Sequence, residues 1–260
     1  MTNNREMFLS LLMEIADQAD PIALRYFRAS DLAVDEKTDL SPVTVADRSI
    51  EQVAREVVLR RDRGLGVCGE EFGDTDGAHR ARLIIDPIDG TRNFVRGIPV
   101  FATLLAIEEG GEIVAGVVSA PALGARWHAV RGGGAFSGAR RLRVSGIRDL
   151  AQAHVFHADL SGAAEVSPPP GATRLFSRAH RTRGFGDFYQ HILVAEGAGE
   201  FAIDPAVKPW DVAAIQVIIE EAGGRATTLE GARSVYGGSL VTSNGLVHDE
   251  ALRLLTDPSR

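Results

Sequence analysis

LIIDPIDGTRNF, running from Leu83 to Phe94, is the stretch around which this chain is organised. Leu83, Ile84 and Ile85 form a short apolar run that predicts a buried strand, and Asp86 is where the strand emerges. Pro87 has no N–H to give and stops the ladder, while Gly90 frees the backbone to turn. Asp86, Asp89 and Thr91 then fall within six residues at a strand end. If a helix begins there, the amides of Gly90 and Thr91 have no intrahelical partner. Two carboxylates, a hydroxyl and free N–H groups in one turn suit a hard divalent cation and a phosphate. The same residues would also make an ordinary acidic turn that caps a helix, so the rest of the chain must discriminate.

Upstream, VCGEEFG ends a predicted short strand at Val67 and Cys68 and delivers Glu70 and Glu71 some 15 to 16 residues before Asp86. Adjacent acids are common on surfaces, so the pair says little alone. DEKTDLSPVTVAD, 35–47, is polar, is broken by Pro42 and ends at Asp47, a predicted N-cap for a helix whose Ile50, Val53, Ala54 and Val57 share a face. Lys37, Thr44 and Asp47 therefore sit on a loop or its exit. The first helix is marked by Phe8, Leu11, Leu12, Ile15, Ala19, Ile22 and Tyr26 at helical spacing and reads as core packing.

Downstream, FATLLAIEEGGEIVAGVV is two apolar runs joined by a glycine turn, and ARWHAV and RGGGAFSG continue an antiparallel meander. The glycines between 132 and 138 do not match a dinucleotide loop and precede a strand-like segment, so they read as a turn. AHVFHADL is a further apolar stretch, and SPPPG reads as an exposed loop. A helix opens at Asp187 and continues through Tyr189, Ile192, Leu193 and Glu196. FAID is a strand ending at Asp204, and PWDVAAIQVIIEEAGG predicts a helix that begins at Asp211 and stops at Gly223. Strands at 225–228 and 239–242 and a last helix near 248–255 complete a helix-and-sheet second half.

Composition limits what such a chain can do. Its 260 residues are 45% hydrophobic, enough for a large core in one domain or two intimate halves, here read as 1–150 and 151–260. A formal charge of -7 with no dominant basic run argues against nucleic-acid or anionic-membrane partners. The N-terminal segment has acids among its apolar positions and reads as neither signal peptide nor membrane span, which favours a cytoplasmic protein. One cysteine, Cys68, permits no internal disulfide and no thiolate cage.

Taken singly, each acid has a structural explanation. Together, Glu70, Asp86, Asp89 and Asp211 are all predicted at strand ends or helix starts, where loops converge on α/β sheets. The order GEE, then DPIDGT, then WD before an apolar helix ending in EAGG, with EKTDLSPVTVAD before and TSNG after, resembles the inositol monophosphatase family of metal-dependent phosphatases. The resemblance spans nearly the whole chain. It implies a sugar-phosphatase fold of the layered α+β or α/β kind, with alternating helix and sheet layers, and a homodimer.

It also implies roles. Glu70, Asp86 and the Ile88 carbonyl would hold one Mg²⁺, Asp86, Asp89 and Asp211 a second, and a third, weaker ion would lie near Glu70. Thr91, supported by Asp47 and with Glu70 close by, would orient the attacking water. Asp89 and the amides of Gly90 and Thr91 would meet the phosphorylated substrate, and Lys37 and Thr44 match the family's mobile loop over the site. The physics agrees: a carboxylate ~4 Å from a phosphate repels it by several kcal/mol, and divalent cations reverse that sign. All-oxygen ligands favour Mg²⁺ over zinc. No GxSxG offers a side-chain nucleophile.

Within the family, DGTRNFVRGIP, VVSAPALGARW, GDF and LVAEG are most similar to the histidinol-phosphate phosphatase branch. The Gly-Thr-Ala run usual in inositol phosphatases is absent near Gly186, where Asp187 offers an anion to a cationic substrate. Asp204, seven residues before Asp211, and Glu196 are further candidates to reach the substrate's organic part. The expected reaction is hydrolysis of L-histidinol phosphate, a step of histidine biosynthesis. An inositol or broad small-molecule phosphatase is the nearest alternative, and a catalytically silent metal or phosphate-binding regulator the more distant one. The last expects a missing ligand, and none is missing.

Overall fold

The computed structural model describes residues 2–30, 32–36, 42–159 and 168–256. Two large sheets and three helical layers stack in alternation, and Val34–Glu36 pairs antiparallel with Pro42–Thr44 as a small third sheet. The larger sheet has eight strands in the spatial order Arg140–Arg141, Gly134–Ser137, Ala125–Val130, Glu112–Ala120, Ala102–Glu109, Ala81–Asp89, Gly66–Gly69 and Gly73–Thr75. Every neighbouring pair is antiparallel except Gly66–Gly69 beside Ala81–Asp89. The smaller sheet orders Arg181–Gly184, His154–His157, Phe201–Asp204, Leu240–Ser243 and Arg225–Thr227, the first three mutually parallel.

Period-two alternation explains how one strand serves two layers. On Ala81–Asp89, Leu83 and Ile85 face Leu12, Ile15, Ala54 and Val57 of the helices Thr2–Tyr26 and Val45–Arg61. Ile84 faces the other way, toward Ile192, Val217 and Ile218 of the helices Asp187–Ala195 and Pro209–Glu221, which lie between the two sheets. The outer face of the smaller sheet is covered by Ala172–Arg178 and His248–Thr256. Leu83 is wholly buried. Truncating such a residue to alanine typically costs ~2–5 kcal/mol. Among the described residues, no helix is long and apolar enough to cross a membrane.

The expected hairpin is present: Ala102–Glu109 and Glu112–Ala120 are joined through Gly110 and Gly111, both at positive φ (63° and 87°), as a tight turn matching strand twist requires. Three element limits differ from the sequence reading. Pro87 does not end the strand. The ladder shifts register between Asp86 and Asp89 and resumes opposite Ala102, and the Thr103 hydroxyl donates to the Pro87 carbonyl at 2.8 Å. The bulge thus absorbs the proline's missing donor and sets the two aspartates into a kinked strand end.

The helix Val45–Arg61 begins earlier than expected, and its N-cap is Thr44 rather than Asp47. The Thr44 hydroxyl accepts from Ala46 N (3.1 Å), while Asp47 Oδ2 accepts the Thr44 N–H (2.8 Å) and hydroxyl (2.5 Å), a reciprocal capping box. Likewise the helix Pro209–Glu221 starts at a proline suited to a first helical position, and Asp211, in its first turn, accepts the Lys208 N–H at 2.7 Å.

Candidate metal centre and active site

Asp86, Asp89 and Asp211 converge, each offering a carboxylate oxygen within 4.8 Å of the others. Two come from the bulged strand end and one from the first turn of Pro209–Glu221, so the cluster forms where the large sheet meets the middle helical layer. Asp86 and Asp89 are buried, and Asp86 Oδ1 has no hydrogen-bond partner among the described residues. An orphaned carboxylate oxygen at that depth is costly unless a cation is its partner. Glu70 occupies the turn after Gly66–Gly69, and its charge bears on Asp86, Asp47 and Asp211.

Burial, then the charges of Glu70, Asp89 and Asp211, push the Asp86 carboxyl well above the usual carboxylate range. Burial, then Asp187 and Asp211, do the same to Asp89. Burial raises Asp211 and Asp204 to about 7 and Asp187 to about 6. Asp47 is lifted to about 6 by burial, against the Thr44 hydrogen bonds. So many carboxyls in one place resist ionising together. The donor set, all oxygen and held close by elements fixed in the core, fits a hard divalent cation, which would replace mutual repulsion by attraction.

The chain turns immediately after the cluster. Gly90, at φ 82°, caps the short helix Thr91–Val95. The Thr91 hydroxyl donates to the Ile88 carbonyl at 2.9 Å and lies 3.5 Å from Asp47 Oδ1. Beside them a cavity of about 110 Å³ is lined by Asp89, Asp187, Asp204, Asp211 and His191, with Phe188 and Ile215 among its apolar walls. Asp89 Oδ2 accepts the Phe188 amide at 2.6 Å, tying the turn to the start of Asp187–Ala195. Asp204 ends the strand Phe201–Asp204 and accepts the Ala206 amide at 3.3 Å. A wider hollow of about 610 Å³ runs along Val34, Asp35, Arg92 and Arg96 but contains none of the clustered aspartates.

Glu196 is not brought to this cavity. It caps the opposite end of Asp187–Ala195, where its carboxylate accepts the Trp127 indole N–H at 2.9 Å and pairs with Arg140. The helix Asp187–Ala195, about 13 Å long at about 1.5 Å per residue, separates the two. Thr44 is buried as the helix cap, and Lys37 lies outside the described residues.

Three residues around the site escaped the sequence reading. Glu51, buried, accepts the backbone amides of Glu71 (2.7 Å) and Phe72 (3.2 Å) and so holds the turn that carries Glu70. Its spacing of three before Ala54 places it on the core face of its helix, a signal legible in the sequence. Asn93 bridges Asp187 and Val100 through its amide. His191 is held by burial at a pKa of about 3 and is therefore neutral, with Nδ1 2.8 Å from the Thr242 hydroxyl.

Comparison with known proteins follows the same lines. The inositol monophosphatase family model matches residues 4–257. A histidinol-phosphatase of Mycobacterium tuberculosis is 47% identical over 252 residues, covering 95% of this chain and 97% of the relative. One from Streptomyces coelicolor is 43% identical over 256 residues, covering 95% and 96%. Among solved structures, the extragenic suppressor protein suhB of Bartonella henselae superposes with a TM-score of 0.89 at 29% identity, covering 97% of this chain and 99% of its own.

Proposed function

The chain belongs to the inositol monophosphatase family, and we propose that it is a Mg²⁺-dependent phosphomonoesterase that hydrolyses L-histidinol phosphate to L-histidinol and phosphate. The observation that carries this reading is one small cavity whose walls join Asp89 and Asp211, two members of the three-aspartate cluster, to two further acids, Asp187 and Asp204. The cluster suits cations that can receive a phosphate. The two further acids suit an ammonium or imidazole, which histidinol phosphate has and a polyol phosphate lacks. Similarity to histidinol-phosphatases over nearly the full chain supports the choice.

Glu70, Asp86 and the Ile88 carbonyl would hold one Mg²⁺, and Asp86, Asp89 and Asp211 a second, with a third near Glu70 as a weaker site. Bound ions supply Lewis-acid activation of water and neutralise charge on the departing alkoxide. The chain's own groups do the rest. The Thr91 hydroxyl, 2.9 Å from the Ile88 carbonyl and 3.5 Å from Asp47 Oδ1, can donate its one proton to either and keeps a lone pair to accept a hydrogen bond from the attacking water. Asp47 beside it, with a pKa near 6, can take up a proton near neutral pH. The amides of Gly90 and Thr91 would take phosphate oxygens. A homodimer in the cytoplasm belongs to the same reading, checked by sedimentation and by cell fractionation.

Phosphate release by the purified chain from L-histidinol phosphate and from inositol 1-phosphate, each with Mg²⁺ and with chelator, tests the proposal. Higher kcat/KM for histidinol phosphate, abolished by chelator, is expected. A preference for the inositol ester would overturn the substrate, and full activity in chelator the mechanism.

A further inference from the structure

Asn93, in the motif that carries Asp86, Asp89 and Thr91, reaches across the cavity wall to the other half of the chain. Its Nδ2 donates to Asp187 Oδ2 at 2.8 Å and to the Val100 carbonyl at 2.9 Å. Both partners are acceptors, so the amide can point only one way and both its protons are used. Asp187 itself sits at φ 51°, a left-handed conformation uncommon for a residue with a side chain, as the first residue of its helix. Opposite it is Gly90, where a Cβ would stand 3.2 Å from Asp187 Oδ2 and 3.0 Å from the Val100 carbonyl. A side chain there would press on both acceptors that Asn93 holds.

We propose that Asn93 is a positioning residue for substrate selection: by holding Asp187 Oδ2, it presents Oδ1 of the same carboxylate to the cationic end of the substrate. An unheld aspartate in a strained backbone would sample several rotamers, and each recognition event would carry the cost of fixing one. Asn93 removes that cost in advance. It couples the turn that meets the phosphate to the group that meets the organic part, so one motif sets the distance between the substrate's two charges. This inference rests on the reading that Asp187 faces a cationic substrate.

Steady-state kinetics of the full chain with Mg²⁺ on L-histidinol phosphate and on the uncharged-alcohol ester glycerol 2-phosphate separate the two ideas. The readout is the ratio of kcat/KM values for wild type, Asn93→Ala, Asp187→Ala and the double variant. Loss of a charge-assisted hydrogen bond should lower the ratio about tenfold in Asp187→Ala and about fivefold in Asn93→Ala, through KM for histidinol phosphate. The double variant should be no worse than Asp187→Ala. If Asp187→Ala lowers the ratio and Asn93→Ala does not, or if the two losses multiply, the role of Asn93 is overturned while the substrate reading stands. An unaltered ratio in Asp187→Ala overturns both. Asn93→Ser, polar but unable to span both acceptors, carries the same test should the alanine variant not fold.

Discussion

The Phe188 amide donates to Asp89 Oδ2 at 2.6 Å, so a carboxylate of the DPIDGT turn also caps the helix that bears Asp187. One side chain thus contributes to the charge cluster and to the joint between the larger sheet and the middle helices.

The two roles separate by substitution. Asp89→Asn keeps an oxygen for the Phe188 amide but loses the charge, and should retain its melting temperature while kcat falls at least about a hundredfold. Asp89→Ala leaves that buried amide unpaired and should also lose about 1–3 kcal/mol of stability. Thermal melts beside phosphate-release assays check both.

Metal-free protein should lose stability as pH rises. Asp204 and Asp211 ionise at about 7 and Asp187 at about 6 when folded, against 3.8 ordinarily. Between those values the folded chain holds protons that the unfolded chain has released. The stabilisation is complete below about pH 4 and is lost as pH climbs through 6 to 7. Melting in chelator should therefore occur at lower temperature at pH 8 than at pH 5, and saturating Mg²⁺ should flatten that slope because the ion takes the protons' place.

Thr91→Ala should lower kcat about a hundredfold or more with little change in KM, since the hydroxyl is placed for water rather than for the ground-state ester. Asp47→Asn keeps much of the cap at Thr44, and should also lower kcat.

Gly69→Ala should weaken Mg²⁺ binding. A Cβ there would fall 2.1 Å from Glu51 Oε1, the oxygen that holds the turn behind Glu70. Glu51 must move, and a higher Mg²⁺ concentration for half-maximal rate, read by titration, is the expected outcome.

What could be seen in the residues alone was local. The strand and turn of Leu83–Phe94, the paired-glycine hairpin and the helical spacing of the first helix each depend on neighbours in the chain, and sequence pattern reports such neighbours well. Limits set by reciprocal side-chain capping lie two or three residues from where the sequence pattern puts them, because Thr44 and Asp47, or Lys208 and Asp211, share the task and either reads as the cap. Glu196 stands at the far end of the helix from Asp187, where Trp127 and Arg140 occupy its carboxylate, and no local pattern in the sequence reports those partners. Asn93 was invisible for the opposite reason: its partner lies 94 residues away.

The central claim is that Asp86, Asp89 and Asp211 share divalent ions. Crystals grown with Mn²⁺ and phosphate, measured at the manganese absorption edge, test it most directly. Two anomalous peaks are expected, one touching oxygens of all three aspartates and one beside Asp86 and Glu70, each at about 2.2 Å. A map with no peak at these carboxylates, in a crystal whose enzyme still releases phosphate, would contradict it.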